Sequence, residues 1–199
     1  MLYTKGDVVM RSCMLSNVAK NYISDYYCIL DNMIEKMTGA KLSDSISGNF
    51  IAQMIPHHMA AVEMSENILR YTTLVPLQCV AENIVSSQKL GIEEMSRIQA
   101  KCGEMCGPKC DVCLYQRDTD RIIHNMFDKM RSVYGDNNIN CNFMREMIPH
   151  HMGAVKMAEN ALKYNVCQPL VPILKNIVSE QNKGICEMKN LMRKIGCVC

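Results

Sequence analysis

The sequence predicts an all-α protein in which two copies of a three-helix unit form a six-helix bundle with pseudo-twofold symmetry. The hexapeptide Met-Ile-Pro-His-His-Met at Met54–Met59 returns unchanged at Met147–Met152, 93 positions later. Apolar residues recur at helical spacing, and no segment alternates polar and apolar residues as a strand does. A duplication of this kind has to be recognised before a fold is assigned.

The duplication covers most of the chain, with the first unit at 1–105 and the second at 106–199. Asn49–Leu69 and Asn142–Leu162 share 14 of 21 aligned residues. Two copies are too few for a solenoid, whose repeats each stack only on their neighbours. We therefore expect a fused pseudo-dimer.

Each unit is expected to contain three helices joined by short links, which pack as up-down-up neighbours. In the first unit, Gly39 ends the first helix, Ser43–Ser45 supplies the cap of the second, and Gly103 ends the third. The apolar stripes that predict these helices are Ile23, Tyr26, Leu30, Met33 and Met37; Phe50, Met54, His57, Ala61, Met64 and Ile68; and Ile84, Gln88, Ile92 and Met95. The second unit repeats the pattern over about 117–133, 142–163 and 169–195, with a cap at Asp136–Asn138.

A proline, Pro56 or Pro149, falls inside the second helix of each unit. Proline removes a backbone hydrogen bond and usually kinks a helix. The alternative is that the helix begins at the proline. We favour the kink because Phe50 and Met54 already share the stripe of His57.

The composition excludes several classes of partner. Of the 199 residues, 48% are hydrophobic, and a net charge of +2 with mixed signs is not typical of nucleic-acid or membrane-surface binding. No apolar run reaches the roughly 18 residues that span a bilayer. Met1–Met14 lacks the apolar core of a signal peptide, which predicts a cytoplasmic protein. A chain whose leader had been removed would look the same and would be exported.

The repeated histidines and the 18 methionines predict a soft-metal site. At about 100° per residue, both histidines of a pair share one helix face with two methionines, and glutamates such as Glu63 face away. Imidazole and thioether suit copper(I), with silver(I) or zinc as alternatives, whereas the inward glutamates of a di-iron bundle are not expected. The predicted ligands are His57, His58, Met54, Met64, His150, His151, Met147 and Met157, with Met33, Met37, Met95, Met126, Met130 and Met188 as further soft ligands.

The alternative to a metal site is a pseudo-symmetric core in which the histidines hydrogen-bond across the axis and the methionines only pack. Two identical pairs flanked by methionines favour metal binding. Gln88 and Gln181 lie on apolar faces, and a buried amide needs a partner. That partner is either the free nitrogen of a ligating histidine or a helix carbonyl. The fifth histidine, His124, is expected on the surface.

Twelve cysteines in a chain without a visible export signal favour reduced thiols and metal binding over disulfides. Cys110-x-x-Cys113 has the spacing of a metal-binding hairpin. Each end of the bundle is a candidate thiolate site for copper(I) or zinc; reduced structural thiols or disulfides are the alternative. The candidate ligands are Cys102, Cys106, Cys110 and Cys113 at the junction of the units, and Cys13, Cys197 and Cys199 at the other end. No ligand role is predicted for Cys28, Cys79, Cys141, Cys167 and Cys186, which lack counterparts in the repeat.

Both hexapeptides and the residues that follow them closely resemble the signature of the domain of unknown function 305 family. The matching residues are Ala61-Val62-x-Met64 and Ala154-Val155-x-Met157, and later Gln88, Ile92 and Met95 with Gln181, Ile185 and Met188. The resemblance implies a ferritin-like all-α bundle and, as for some members, a role in copper binding and tolerance; many members are exported. Where the family usually has glutamate three residues after the glutamine, this chain has Gly91 and Gly184.

We therefore predict a copper(I)-binding protein that buffers the metal or confers tolerance to it. Catalysis is not expected, because the sequence shows no nucleophile–base pair, phosphate-binding loop or inward acid pair. One rival is a thiol redox protein that uses Cys110 and Cys113. The other is a structural or interaction bundle whose histidines only pack. Both a monomer and a homo-oligomer are compatible with the prediction.

Overall fold

The computed structural model describes residues 15–197, and this part of the chain is almost entirely helical, with no strand in it. Its six helices are α1 (Asn17–Thr38), α2 (Ile46–Leu69), α3 (Val75–Gly103), α4 (Lys109–Arg131), α5 (Ile139–Ala161) and α6 (Leu170–Ile195). The predicted all-α bundle of two three-helix units is confirmed.

Polar caps start α2 and α5 at the predicted loops. Ser45 Oγ accepts a hydrogen bond from the backbone N–H of Gly48 at 3.1 Å, and Asn138 Oδ1 accepts one from Cys141 at 3.2 Å. These side chains satisfy N–H groups that have no partner within the helix. At the other end of the second unit, Gly196 stops α6 with φ 71°, a left-handed conformation that favours glycine.

Both internal prolines are accommodated within their helices. The helix α2 runs on either side of Pro56, and α5 runs on either side of Pro149. The alternative in which each helix begins at its proline is therefore wrong. Each histidine pair follows its proline within a continuous helix.

The two histidine helices are the central elements of the bundle. The helix α2 packs against α1, α3 and α5, while α5 packs against α4, α6 and α2; α3 and α6 also meet. Because α2 and α5 are covered by three neighbours each, their middle turns lie in the interior. None of the helices within residues 15–197 combines the length and the apolarity needed to cross a membrane.

The duplication extends to buried polar contacts. Asn67 Nδ2 donates to the carbonyl of Tyr22 at 3.0 Å, and its counterpart Asn160 donates to the carbonyl of Tyr115 at 3.1 Å. These amides tie α1 to α2 and α4 to α5 in the same way. A buried amide is retained at such a position because it satisfies a buried carbonyl as well as itself.

Candidate metal centre

The four repeated histidines lie in the interior of the bundle, each at most 2% exposed. His57 and His58 come from α2, and His150 and His151 come from α5. In contrast, His124 is exposed on α4, as predicted, and its Nδ1 lies 2.7 Å from the carbonyl oxygen of Asp120. The packing of α2 against α5 thus brings the two predicted histidine pairs together.

His57 and His150 form a reciprocal pair between the two units. Their rings stack with centroids 3.7 Å apart. Nε2 of His57 donates to the carbonyl of His150 at 3.2 Å, and Nε2 of His150 donates to the carbonyl of His57 at 3.1 Å. A carbonyl oxygen only accepts, so the proton is on Nε2 and Nδ1 keeps a free lone pair. The cross-axis hydrogen bonding considered as an alternative is therefore present for this pair, and it leaves one donor nitrogen available on each ring.

His58 and His151 each lie against a glycine of the third helix of their own unit. A Cβ atom at Gly91 would lie 3.0 Å from Cδ2 of His58, and one at Gly184 would lie 3.1 Å from Cδ2 of His151. A larger residue at either position would require the ring to shift by a few tenths of an ångström. Gly91 and Gly184 therefore allow these rings to lie close to the third helix of each unit.

Six polar atoms in this part of the interior have no hydrogen-bond partner. They are Nδ1 of His57, His58, His150 and His151, and Oε1 of Gln88 and Gln181. Neither of the hydrogen bonds predicted for the two glutamines is formed. Each buried polar atom left unpaired costs about 1–3 kcal/mol. A symmetric set of unpaired nitrogen and oxygen atoms is what a site for an electron-accepting ligand such as a metal ion requires.

The imidazoles are neutral at pH 7. Burial, followed by the neighbouring histidines, lowers the pKa of His57 and of His151 well below 6.5. Burial and His150 lower the pKa of His58 to about 3, and burial lowers the pKa of His150 to about 4. Only an unprotonated imidazole nitrogen binds a metal. Protons therefore do not compete for these nitrogens at neutral pH.

The methionines predicted as ligands all lie in the same core, each at most 2% exposed. Met126 packs directly on Gly153, since a Cβ atom there would lie only 2.1 Å from the sulfur. Glu63, which was predicted to face away, is half-buried, and Met59 and Glu66 on the same side of α2 are exposed. The buried thioethers are Met33, Met37, Met54, Met64, Met95, Met126, Met130, Met147, Met157 and Met188.

One inward acid was missed by the sequence prediction. Glu146 on α5 is 1% exposed and accepts a hydrogen bond from the hydroxyl of Tyr22 on α1. Burial raises the pKa of this carboxyl to about 8. Glu146 lies four residues before His150 and therefore on the same face of the helix. This spacing could have identified the buried acid from the sequence. The carboxyl is partnered by Tyr22, and the equivalent residue of the first unit is Gln53.

We expect Glu146→Gln to stabilise the metal-free protein at pH 8 by about 4 kcal/mol. Because the folded pKa lies above the unfolded value of 4.5, the carboxyl's contribution to stability is present at low pH and lost as the pH rises towards 8. The gain should therefore disappear near pH 4.5. Urea unfolding between pH 4.5 and pH 8 measures the difference in the free energy of unfolding between the variant and the wild type. The reverse change in the first unit, Gln53→Glu, should lower the free energy of unfolding increasingly as the pH rises. A pH-independent difference between Glu146→Gln and the wild type would contradict the burial of a titrating carboxyl.

Two predicted thiolate ligands are half-cystines instead. Cys102 is bonded to Cys167 with Cα atoms 5.4 Å apart, and Cys197 is bonded to Cys141 at 5.6 Å. The prediction of Cys102 and Cys197 as metal ligands is therefore wrong, and the disulfide alternative holds for them. The physical reason is packing: the bundle brings helix ends together that are 65 and 56 residues apart in the chain.

The other predicted thiolates that lie within residues 15–197 do not form a cluster. Cys106, Cys110 and Cys113 are free and exposed. Within residues 15–197, no three side chains among the histidines, cysteines, aspartates and glutamates are placed to hold one ion. Cys13 and Cys199 lie outside the described residues. An ion in the described interior would therefore have at most two ligands from these four residue types.

These features define a duplicated, methionine-rich helical bundle with a buried histidine centre. The chain belongs to the family Domain of unknown function (DUF305), which matches residues 29–105 and 117–192. No curated protein matches the chain in sequence.

Two solved structures share the fold. One is CopM in the Ag-bound form, obtained by soaking, with a TM-score of 0.55 and 24% identity over 77% of this chain and 98% of CopM. The other is CopM in the apo form, with a TM-score of 0.55 and 26% identity over 74% of this chain and 96% of CopM. The likeness covers nearly the whole of CopM and about three quarters of this chain.

Proposed function

We propose that this protein binds copper(I) in its interior and thereby buffers the metal or confers tolerance to it, without catalysis. The observation that carries the proposal is the set of four buried, neutral imidazoles, each with an unpartnered Nδ1, in a core rich in thioethers. Silver(I) has the same preference for soft ligands and serves as its analogue. The silver-bound form of CopM supports the proposal, because that protein shares this fold.

The donor set favours a monovalent soft ion over zinc. Structural zinc sites take four ligands in a tetrahedron, mainly cysteine and histidine. No three such side chains converge in the described part of the chain. Copper(I) accepts thioether ligands that zinc does not favour. Since each unit supplies the same donors, we expect one ion per unit.

Anaerobic titration with copper(I) against a competing chelator tests this proposal. The six free cysteines of the described region are exposed, so alkylation can remove them from the measurement. We expect His58→Leu/His151→Leu to lose most of the uptake seen with the alkylated wild type. The exposed His124→Leu is the matched control and should bind as the wild type does.

Thermal unfolding provides a second measurement that also tests folding of the variants. A ligand that binds only the folded state raises Tm. Copper(I) should raise the Tm of the alkylated wild type and of His124→Leu, and leave that of His58→Leu/His151→Leu unchanged. Equal copper uptake and equal Tm shifts in all three proteins would remove the histidines from the proposed site.

The rival thiol redox function depends on different residues. Cys110 and Cys113 are exposed and free near the start of α4. Loss of all copper uptake on alkylation would assign the copper to thiols and remove the histidines from the proposed function.

A further inference from the structure

A cleft of about 380 Å³ opens between α3 and α6 and reaches the buried His151. His151 and Gly184 lie along it, together with Gln88 and Gln181. Serine and asparagine side chains line its outer part. The cleft therefore connects the surface with one ring of the histidine centre.

The two glutamines lie in this cleft with unsatisfied oxygens. Gln88 is 4% exposed and Gln181 is 3% exposed, and Oε1 of each has no hydrogen-bond partner. The two residues occupy equivalent positions in the repeat, one on each wall of the cleft. An amide oxygen carries partial negative charge, so a cation passing between them would supply the missing partner.

A second groove, between α4 and α5, has the opposite charge. It measures about 200 Å³ and is lined by Arg121, Lys129 and Lys156 with no acidic residue. The charged residues of the α3–α6 cleft are Glu180, Glu187 and Lys183. Clefts lined by one sign of charge concentrate the opposite ion. The basic α4–α5 groove therefore repels a cation, whereas the two glutamates and one lysine of the α3–α6 cleft do not.

We propose that the α3–α6 cleft is the route by which a soft monovalent cation reaches the histidine centre. Gln88 and Gln181 are its transient oxygen ligands, and His151 is the first imidazole that the ion meets. This inference rests on the proposed function, because it concerns the path to that site. The ion keeps its charge and oxidation state along the route.

A steric block of the cleft tests the route. Ser87 lines the cleft and is exposed, so Ser87→Trp fills the outer part without disturbing the core. Asn125→Trp is the matched control, because Asn125 is an exposed residue of the α4–α5 groove. Copper(I) is supplied to the alkylated protein as its bicinchoninate complex, and stopped-flow absorbance follows the loss of that complex. We expect Ser87→Trp to slow loading by about tenfold or more, with the final stoichiometry unchanged, and Asn125→Trp to load at the wild-type rate.

Removing the amide oxygens gives an independent measurement. Gln88→Leu/Gln181→Leu keeps the side-chain volume but removes both unpartnered oxygens. It should also slow loading. Gln53→Leu is the control, since Gln53 is 3% exposed and does not line the cleft.

The outcomes distinguish a failure of the proposed route from a failure of the proposed metal site. Wild-type loading by Ser87→Trp, or equal slowing by Asn125→Trp, overturns the route. A lower final stoichiometry in Ser87→Trp also overturns it, because the cleft would then hold the ion instead of conducting it. Absence of any uptake by the alkylated wild type overturns the proposed function itself.

Discussion

Lowering the pH from 7 to 5 is expected to destabilise the metal-free protein strongly, because four buried histidines must stay neutral in the fold. The pKa of each lies below the ordinary value of 6.5. Between the folded pKa and 6.5, the unfolded chain binds a proton that the folded chain does not. The contribution of the neutral histidines to stability is thus present above pH 6.5 and is lost as the pH falls towards their pKa in the folded state. At pH 5 the loss is about 2 kcal/mol for each histidine.

Glu146 changes the stability of the fold in the opposite direction over the same pH range. Its raised pKa makes the fold more stable as the pH falls from 8 towards 4.5. The histidine effect is therefore best measured in the Glu146→Gln background, where this contribution is absent. Urea unfolding at pH 7 and pH 5 gives the free energy of unfolding in each condition.

Two comparisons make this result specific to the buried imidazoles. In the same background, His58→Leu/His151→Leu should lose about half as much stability between pH 7 and pH 5, because two titrating groups remain. The exposed His124→Leu should behave as the parent protein. An unfolding free energy that does not change between these pH values would show that the four imidazoles are not buried in neutral form.

Removal of the disulfide between Cys102 and Cys167 is expected to lower the free energy of unfolding by about 4 kcal/mol. This crosslink joins residues 65 positions apart and connects the end of α3 in the first unit to the start of α6 in the second. Opening it gives the unfolded chain much more conformational freedom. Because Cys102 is fully buried, the loss of its sulfur also contributes to this decrease.

Calorimetric unfolding of Cys102→Ala/Cys167→Ala measures this loss as a fall in Tm. The matched control is Cys28→Ala/Cys186→Ala, which changes two exposed free thiols and should shift stability by no more than about 0.5 kcal/mol. Equal Tm values for the two variants would contradict a crosslink between the units. Disulfides persist in oxidising compartments and are rare in the cytosol, so the result also bears on the predicted cytoplasmic location.

The helices and the burial of the candidate ligands could be predicted because both depend on local spacing. Ser45 and Asn138 cap α2 and α5 where the loops predicted it. The helical periodicity placed His57 and Met54 on a buried face and left Met59 exposed, as found. These predictions need only the helical repeat and the chemistry of a helix start.

The contacts of those buried faces could not be predicted in the same way. Tyr22 and Glu146 are 124 residues apart, and their pairing depends on where α1 meets α5. The helical spacing alone also treated His57 and His58 as equivalent. Only the packing of α2 against α5 shows that His57 pairs with His150, and only the packing of α2 against α3 places His58 against Gly91.

The duplication, the all-α fold and the buried histidine and methionine faces follow from the sequence by itself, since a repeat and a helical period are properties of neighbouring residues. The tertiary structure alone decided which imidazole nitrogens are free, which cysteines are joined and which cleft leads inwards. Each of these depends on distances between segments that are far apart in the chain, and a pattern along one helix carries no information about them.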